Sequence, residues 1–156
     1  MPGDEVVRRF RLPFFGRRGA PSPAALWLAR ADQATPEEVV QQYFAGVNAH
    51  DLDLMLATMT PERAKLHAAP TTVDRRRQSV AEARIIAVEQ SQESVPLQAL
   101  GPKYRHTVVL KVTYALRLAA VEERKDPTLR EGQDWAYFVL VAEDPGKRWM
   151  IADWGR

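Results

Sequence analysis

Hydrophobic and polar residues recur along this chain with two different periods, and the change of period divides it. In Thr35 to Met59, TPEEVVQQYFAGVNAHDLDLMLATM, the apolar positions Val39, Val40, Tyr43, Phe44 and Val47 fall at helical spacing and form one stripe. Thr35 and Glu38 stand in the T-x-x-E relation of a capping box. Pro36 takes the first helical position, where a missing N–H costs nothing. Glu37 and Glu38 lie at the end of the helix that favours anions. Asn48 and His50 break the run. Asp51 caps a second helix, with Leu52, Met55, Leu56 and Met59 as its stripe. Thr60 and Pro61 start a short third helix, ERAKLHA, that Pro70 ends. Upstream, Ser22 and Pro23 start another short helix, PAALWLARA.

The period then falls to two. Ala83 to Glu93, ARIIAVEQSQE, reads as a strand, and Gly101-Pro102 as a turn. Tyr104 to Leu118 is the clearest strand. Tyr104, His106, Val108, Leu110, Val112, Tyr114, Leu116 and Leu118 share one face, and Arg105, Thr107, Lys111, Thr113 and Arg117 the other. Glu122 to Gly132 is a charged connection. Asp134 to Ala142, DWAYFVLVA, is apolar on both faces and reads as a central strand. Glu143 to Lys147 is a hairpin turn, and Arg148 to Trp154 is the last strand. TTVDRRRQS, before the first strand, is a polar loop. Helices first and antiparallel strands second predict an α+β domain, with helices on one face of a mainly antiparallel sheet of about four strands.

Composition changes this picture at the N-terminus. The chain has 156 residues, which fits one domain, and a formal net charge of +2. Residues 1–34 carry six Arg against three acids, so the remaining residues are close to neutral. We read residues 1–34 as a basic, Pro/Arg-rich arm and 35–156 as the folded domain. A near-neutral domain is not expected to bind nucleic acid. Residues 8–18, RRFRLPFFGRR, mix five Arg with three Phe. They suggest a solvated tail, or else an anchor for an anionic membrane surface. There is no Cys, which excludes disulfides, thiol catalysis and Cys-containing zinc sites. No export signal is read, so a cytoplasmic location is expected. No apolar run approaches the ~20 residues of a membrane span. No phosphate-binding glycine loop, nucleophile elbow or zinc-protease motif occurs. His50, Asp51 and Asp53 have a spacing that suggests a metal, but Asp51 is better explained as a cap. Neither a metal nor a cofactor is expected.

The helical opening VVQQYFAGVNAHDLDLMLATM and the closing RWMIADWG resemble the nuclear transport factor 2-like superfamily over residues 35–156. The resemblance implies a cone, in which a strongly curved sheet wraps around a long N-terminal helix. It implies little about function, since that cone hosts isomerases, dehydratases, cyclases and inactive domains. The opening is most similar to ketosteroid isomerase, where a Tyr on the first helix hydrogen-bonds a developing oxyanion. Tyr43 matches that position. The general base of that family is an Asp, and counting without gaps from Tyr43 places His67 there. His can act as a base near neutral pH, but the carboxylate is missing. The second oxyanion donor, a protonated Asp on an inner strand, has no match on the apolar face of residues 104–118.

His106, on the apolar face of the best strand, is a further candidate for a polar group in such a cavity. The expected cavity wall is Tyr43, Phe44, Val108, Leu110, Tyr114 and Trp149, without a paired donor and base. His67 is expected to face away from it. The preferred reading is a small non-catalytic domain that binds an apolar molecule or a protein partner. The alternatives are an isomerase, dehydratase or hydrolase using Tyr43 with His67 or His106, and an interaction module that uses the basic-aromatic arm. A homodimer through the open sheet face is a weaker expectation.

Overall fold

The computed structural model describes residues 19–68, 78–93, 95, 97–120 and 129–156. The segment 8–18, most of the polar loop after Pro70 and most of the charged connection before Gly132 lie outside the described residues. Among the described residues four α-helices are set out first: α1 (Pro23–Arg30), α2 (Pro36–Asn48), α3 (Leu52–Ala57) and α4 (Pro61–His67). Four strands follow: β1 (Val80–Gln90), β2 (His106–Leu118), β3 (Gly132–Ala142) and β4 (Met150–Gly155). They form one antiparallel sheet in the order β1-β2-β3-β4. The class is α+β.

Local chemistry starts each helix. The Ser22 hydroxyl accepts from the amide of Ala25 at 3.1 Å, and the Thr60 hydroxyl accepts from that of Arg63 at 3.1 Å. Thr35 and Glu38 close the capping box, and Asp51 accepts from the amide of Leu54 at 3.0 Å. Between α2 and α3 the amide of His50 reaches the carbonyl of Val47 at 3.2 Å, and the amide of Asp51 reaches that of Gly46 at 2.9 Å. This is a Schellman ending, with His50 at φ 53° where glycine is usual. The turn and the cap together account for His50 and Asp51 without a metal.

Residues on one face of the sheet pack against α2. Val39, Val40, Tyr43, Phe44 and Val47 join Ala83, Leu110, Val112, Phe138, Leu140 and Ile151 in the main core. Trp27, Ala31 and Ala34 belong to the same core, with Trp27 only 2% exposed. The compact unit therefore begins upstream of Ala34, and α1 is part of it rather than of an arm. In α3 the buried residues are Leu54 and Met55; Leu52 and Leu56 are only half-buried.

The opposite face carries a smaller cluster of Tyr104, Val141 and Met150, against which Leu100 and Ala152 pack. Tyr104 precedes β2, whose first residue is His106, and so does not share the inner face with Val108 and Leu110. Its hydroxyl donates to Glu62 of α4 at 2.7 Å, and Lys103 pairs with the same carboxylate at 2.8 Å. These bonds hold Glu62 down to a pKa of about 2, the Lys103 bond contributing most.

Both sheet edges are partly covered. The segment after α3 runs along β4: the amide of Ile151 donates to Thr58 at 2.8 Å, and the amide of Thr60 donates to Ile151 at 3.0 Å. On β1, the Asn48 side chain pairs with both backbone groups of Ala83. It accepts from the amide at 2.6 Å and donates to the carbonyl at 2.9 Å. One amide side chain thus substitutes for a neighbouring strand at that position and fixes the end of α2 to the sheet.

Candidate functional site

A cavity of about 410 Å³ opens between α2, α4 and the inner face of the sheet. Its apolar wall includes Tyr43, Phe44 and Val47 of α2, Met55 of α3, Tyr114 and Leu116 of β2, and Ala136 and Phe138 of β3. Trp154 of β4 completes an aromatic set. Tyr43 lies 5.5 Å from the Trp154 ring centre, and Phe138 stacks on Trp154 at 6.0 Å. Phe44 meets Tyr114 at 5.6 Å and Phe138 at 6.0 Å.

The polar part of the wall comes from α4 and the start of β3. Arg63 donates through Nε to the carbonyl of Ala152 at 2.9 Å and pairs with Asp153. Its guanidinium also lies 5.3 Å from the Trp154 ring centre. One turn later, the His67 imidazole stacks on the same indole at 4.8 Å. Burial lowers the His67 pKa below its ordinary value, and the Arg63 charge adds to the shift against the opposing pull of Asp153. The ring is therefore mainly neutral at neutral pH. Its Nε2 is buried without a hydrogen-bond partner. Asp134 and Arg130 also border the cavity. The Asp134 carboxylate accepts from the amide of Trp135 at 2.8 Å and pairs with Arg156.

Of the residues expected at the site, Tyr43, Phe44, Tyr114 and His67 meet at this cavity. The expectation that His67 faces away from it is corrected. His67 closes α4, and Arg63, bound to β4, turns the helix so that the imidazole covers Trp154. A donor, Tyr43, and a potential base, His67, therefore share one cavity. Val108, Leu110 and Trp149 lie outside its lining and pack in or against the core. His106 starts β2, eight residues from Tyr114, or roughly 26 Å along the strand at ~3.3 Å per residue.

Trp154 replaces Trp149 because of a bulge. Leu140 pairs with Ile151, but Val139 pairs with Asp153 and Phe138 with Trp154, so Ala152 is extra. Strict alternation from Ile151 would point Trp154 outward; the extra residue turns it inward beside Phe138. Arg63 carried no signal in the sequence, because the contacts with Ala152 and Asp153 that place it are long-range.

Tyr43 brings a phenol hydroxyl to the wall and His67 a mainly neutral imidazole, group types that donate and accept protons. Asp134 is committed to its own partners. Among the described residues no group of three or more His, Asp or Glu is arranged to hold a metal ion. Among them no helix is long and apolar enough to cross a membrane. No curated protein and no solved structure matches the chain. A family model does, over residues 37–155, which span α2 from its second residue to β4 and all of the cavity wall: the chain belongs to the family described as Domain of unknown function (DUF4829).

Proposed function

We propose that this domain binds a small, chiefly apolar, ring-bearing molecule in the cavity between α2, α4 and the sheet. One observation carries the reading: Tyr43, Phe44, Tyr114, Phe138 and Trp154 converge on a single space of about 410 Å³. Ligand sites of this kind run from about 300 to 1,000 Å³ and are mainly apolar with a few placed polar groups. The packing of α2 against one face of a four-stranded antiparallel sheet fits the cone of the nuclear transport factor 2-like superfamily, and we read the domain as a member of it. The test is binding of the dye anilinonaphthalene sulfonate to the wild type and to Leu116→Trp, whose larger side chain fills the cavity. Fluorescence enhancement in the wild type and its loss in a variant with an unchanged melt support the reading. Equal enhancement in both places the dye elsewhere and ends it.

A second reading is favoured by the meeting of Tyr43 and His67 at that cavity. The pair has the elements of acid–base work on a bound ketone, with Tyr43 stabilising a developing oxyanion and His67 moving the proton. A β,γ-unsaturated keto steroid, followed by ultraviolet absorbance of the conjugated product, tests it. Turnover by the wild type that is lost in both Tyr43→Phe and His67→Ala would make the domain an isomerase; no turnover in the wild type leaves the binding reading alone.

A further inference from the structure

Folded proteins leave few buried polar atoms without a partner, and each one asks for an explanation. Among the described residues, two side-chain atoms are in that state: His67 Nε2 and Thr107 Oγ1. Thr107 lies on β2 away from the cavity, whereas His67 is part of the cavity wall.

The missing partner of His67 can be characterised by elimination. A neutral imidazole nitrogen is a donor in one tautomer and an acceptor in the other. A carbonyl or ether oxygen only accepts and serves only the tautomer with its proton on Nε2, and an ammonium only donates and serves only the other. An ammonium would also sit beside the Arg63 guanidinium, which lies on the same indole as His67. A carboxylate would bring its charge into an aromatic wall where Arg63 already pairs with Asp153, and where Asp134 borders the same space as Arg130. A hydroxyl is both donor and acceptor and serves either tautomer without a charge. It also suits a wall in which the rings of Tyr43, Phe44 and Phe138 surround the rest of the space. Arg63 and Glu62 tie α4 to the sheet, and Nε2 is enclosed while the ring lies on Trp154. The imidazole as a whole is only half-buried, so a turn of the ring exposes Nε2 to a bound group.

We infer that the cavity takes a neutral, ring-bearing alcohol, with its hydroxyl paired to His67 Nε2 and its apolar body among Tyr43, Phe44 and Phe138. The inference rests on the binding reading above and names the ligand class of that site.

The probes are β-naphthalenemethanol and its apolar isostere β-ethylnaphthalene, measured by equilibrium dialysis against the full chain. The wild type should bind the alcohol roughly three- to ten-fold more tightly, the range of one neutral hydrogen bond. In His67→Phe, which keeps an aromatic ring on Trp154, that preference should vanish while ethylnaphthalene still binds. His67→Gln, which keeps a donor and an acceptor, should recover part of it. Equal binding of both probes by the wild type overturns the alcohol assignment and leaves the cavity reading intact, with a water molecule as the partner of Nε2. A preference that survives in His67→Phe overturns the role of His67. Failure of the wild type to bind either probe overturns the inference together with the cavity reading.

Discussion

Gly46 sits in α2 where α3 passes closest, and the substitution Gly46→Ala sets two physical effects against each other. Helix propensity alone favours alanine in a helix interior by about 1 kcal/mol. Sterically, a β-carbon at this position would lie 2.7 Å from Met55 Cγ, 3.0 Å from the Met55 backbone nitrogen and 3.3 Å from the Asp51 carbonyl oxygen. A rotamer change of Met55 relieves only the first of these. The other two atoms are fixed, because the amide of Met55 donates to that same carbonyl at 3.1 Å and the amide of Asp51 is bound to Gly46 itself. Met55 is 2% exposed, so it has little space to move into. Overpacking of this kind costs about 1–3 kcal/mol, and the helices must separate to relieve it. Since separation also strains the Schellman turn, the steric term wins. We expect a net loss of up to about 2 kcal/mol, or a Tm lower by up to about 8 °C for a domain of this size. Urea denaturation followed by far-ultraviolet circular dichroism measures it. A Gly46→Ala protein more stable than the wild type would show that α2 and α3 have room to spare and would refute the reasoning.

Other expectations can be tested alongside. Asn48→Ala removes both bonds to Ala83 and should cost about 2 kcal/mol, at about 1 kcal/mol for each; a loss under a quarter of that in urea denaturation would mean that water replaces the side chain fully. His67 has a folded pKa below its unfolded value of 6.5, so its contribution is present above pH 6.5 and is lost as pH falls towards the folded value. His67→Phe should flatten that limb of a stability–pH curve, and an unchanged slope would assign it to other groups. Glu62, lowered from 4.5 to about 2, stabilises above pH 4.5 and loses that contribution as pH falls towards 2. Its carboxylate is more than half exposed, so Glu62→Gln should remove well under about 1 kcal/mol at neutral pH, and less in high salt. A loss of several kcal/mol in melting experiments would contradict that screening.

The sequence was most legible where the physics is local. Thr35, Asp51 and Thr60 each cap a helix through an amide three residues on, and those three starts could be read directly. Alternation in residues 104–118 disclosed β2 and its inner face from Val108 onward. Tyr104 broke the pattern because the strand begins two residues later and the chain crosses to the other face. Pro and Arg near the N-terminus suggested an arm up to Ala34, yet Trp27, with Ala31 and Ala34 after it, docks α1 into the core. The site was less legible than the fold. A bulge at Ala152 exchanged Trp149 for Trp154, and no feature of RWMIADW marks it. α4 buries no side chain and so shows no apolar stripe, which made His67 read as a surface residue. What turns it inward is the pairing of Arg63 with Asp153, ninety positions further along the chain.

The central claim is that the aromatic space around Trp154 receives a ligand. The chain has four Trp, at positions 27, 135, 149 and 154, and their indole N–H signals in a nitrogen-15 correlation spectrum serve as four local probes. Trp27 is enclosed by the core, Trp135 is exposed beside Tyr137, and Trp149 packs outside the cavity lining. Titration with β-naphthalenemethanol should move the Trp154 signal progressively to saturation and leave the other three nearly in place. No movement of Trp154, or a larger movement at Trp135, would contradict the account.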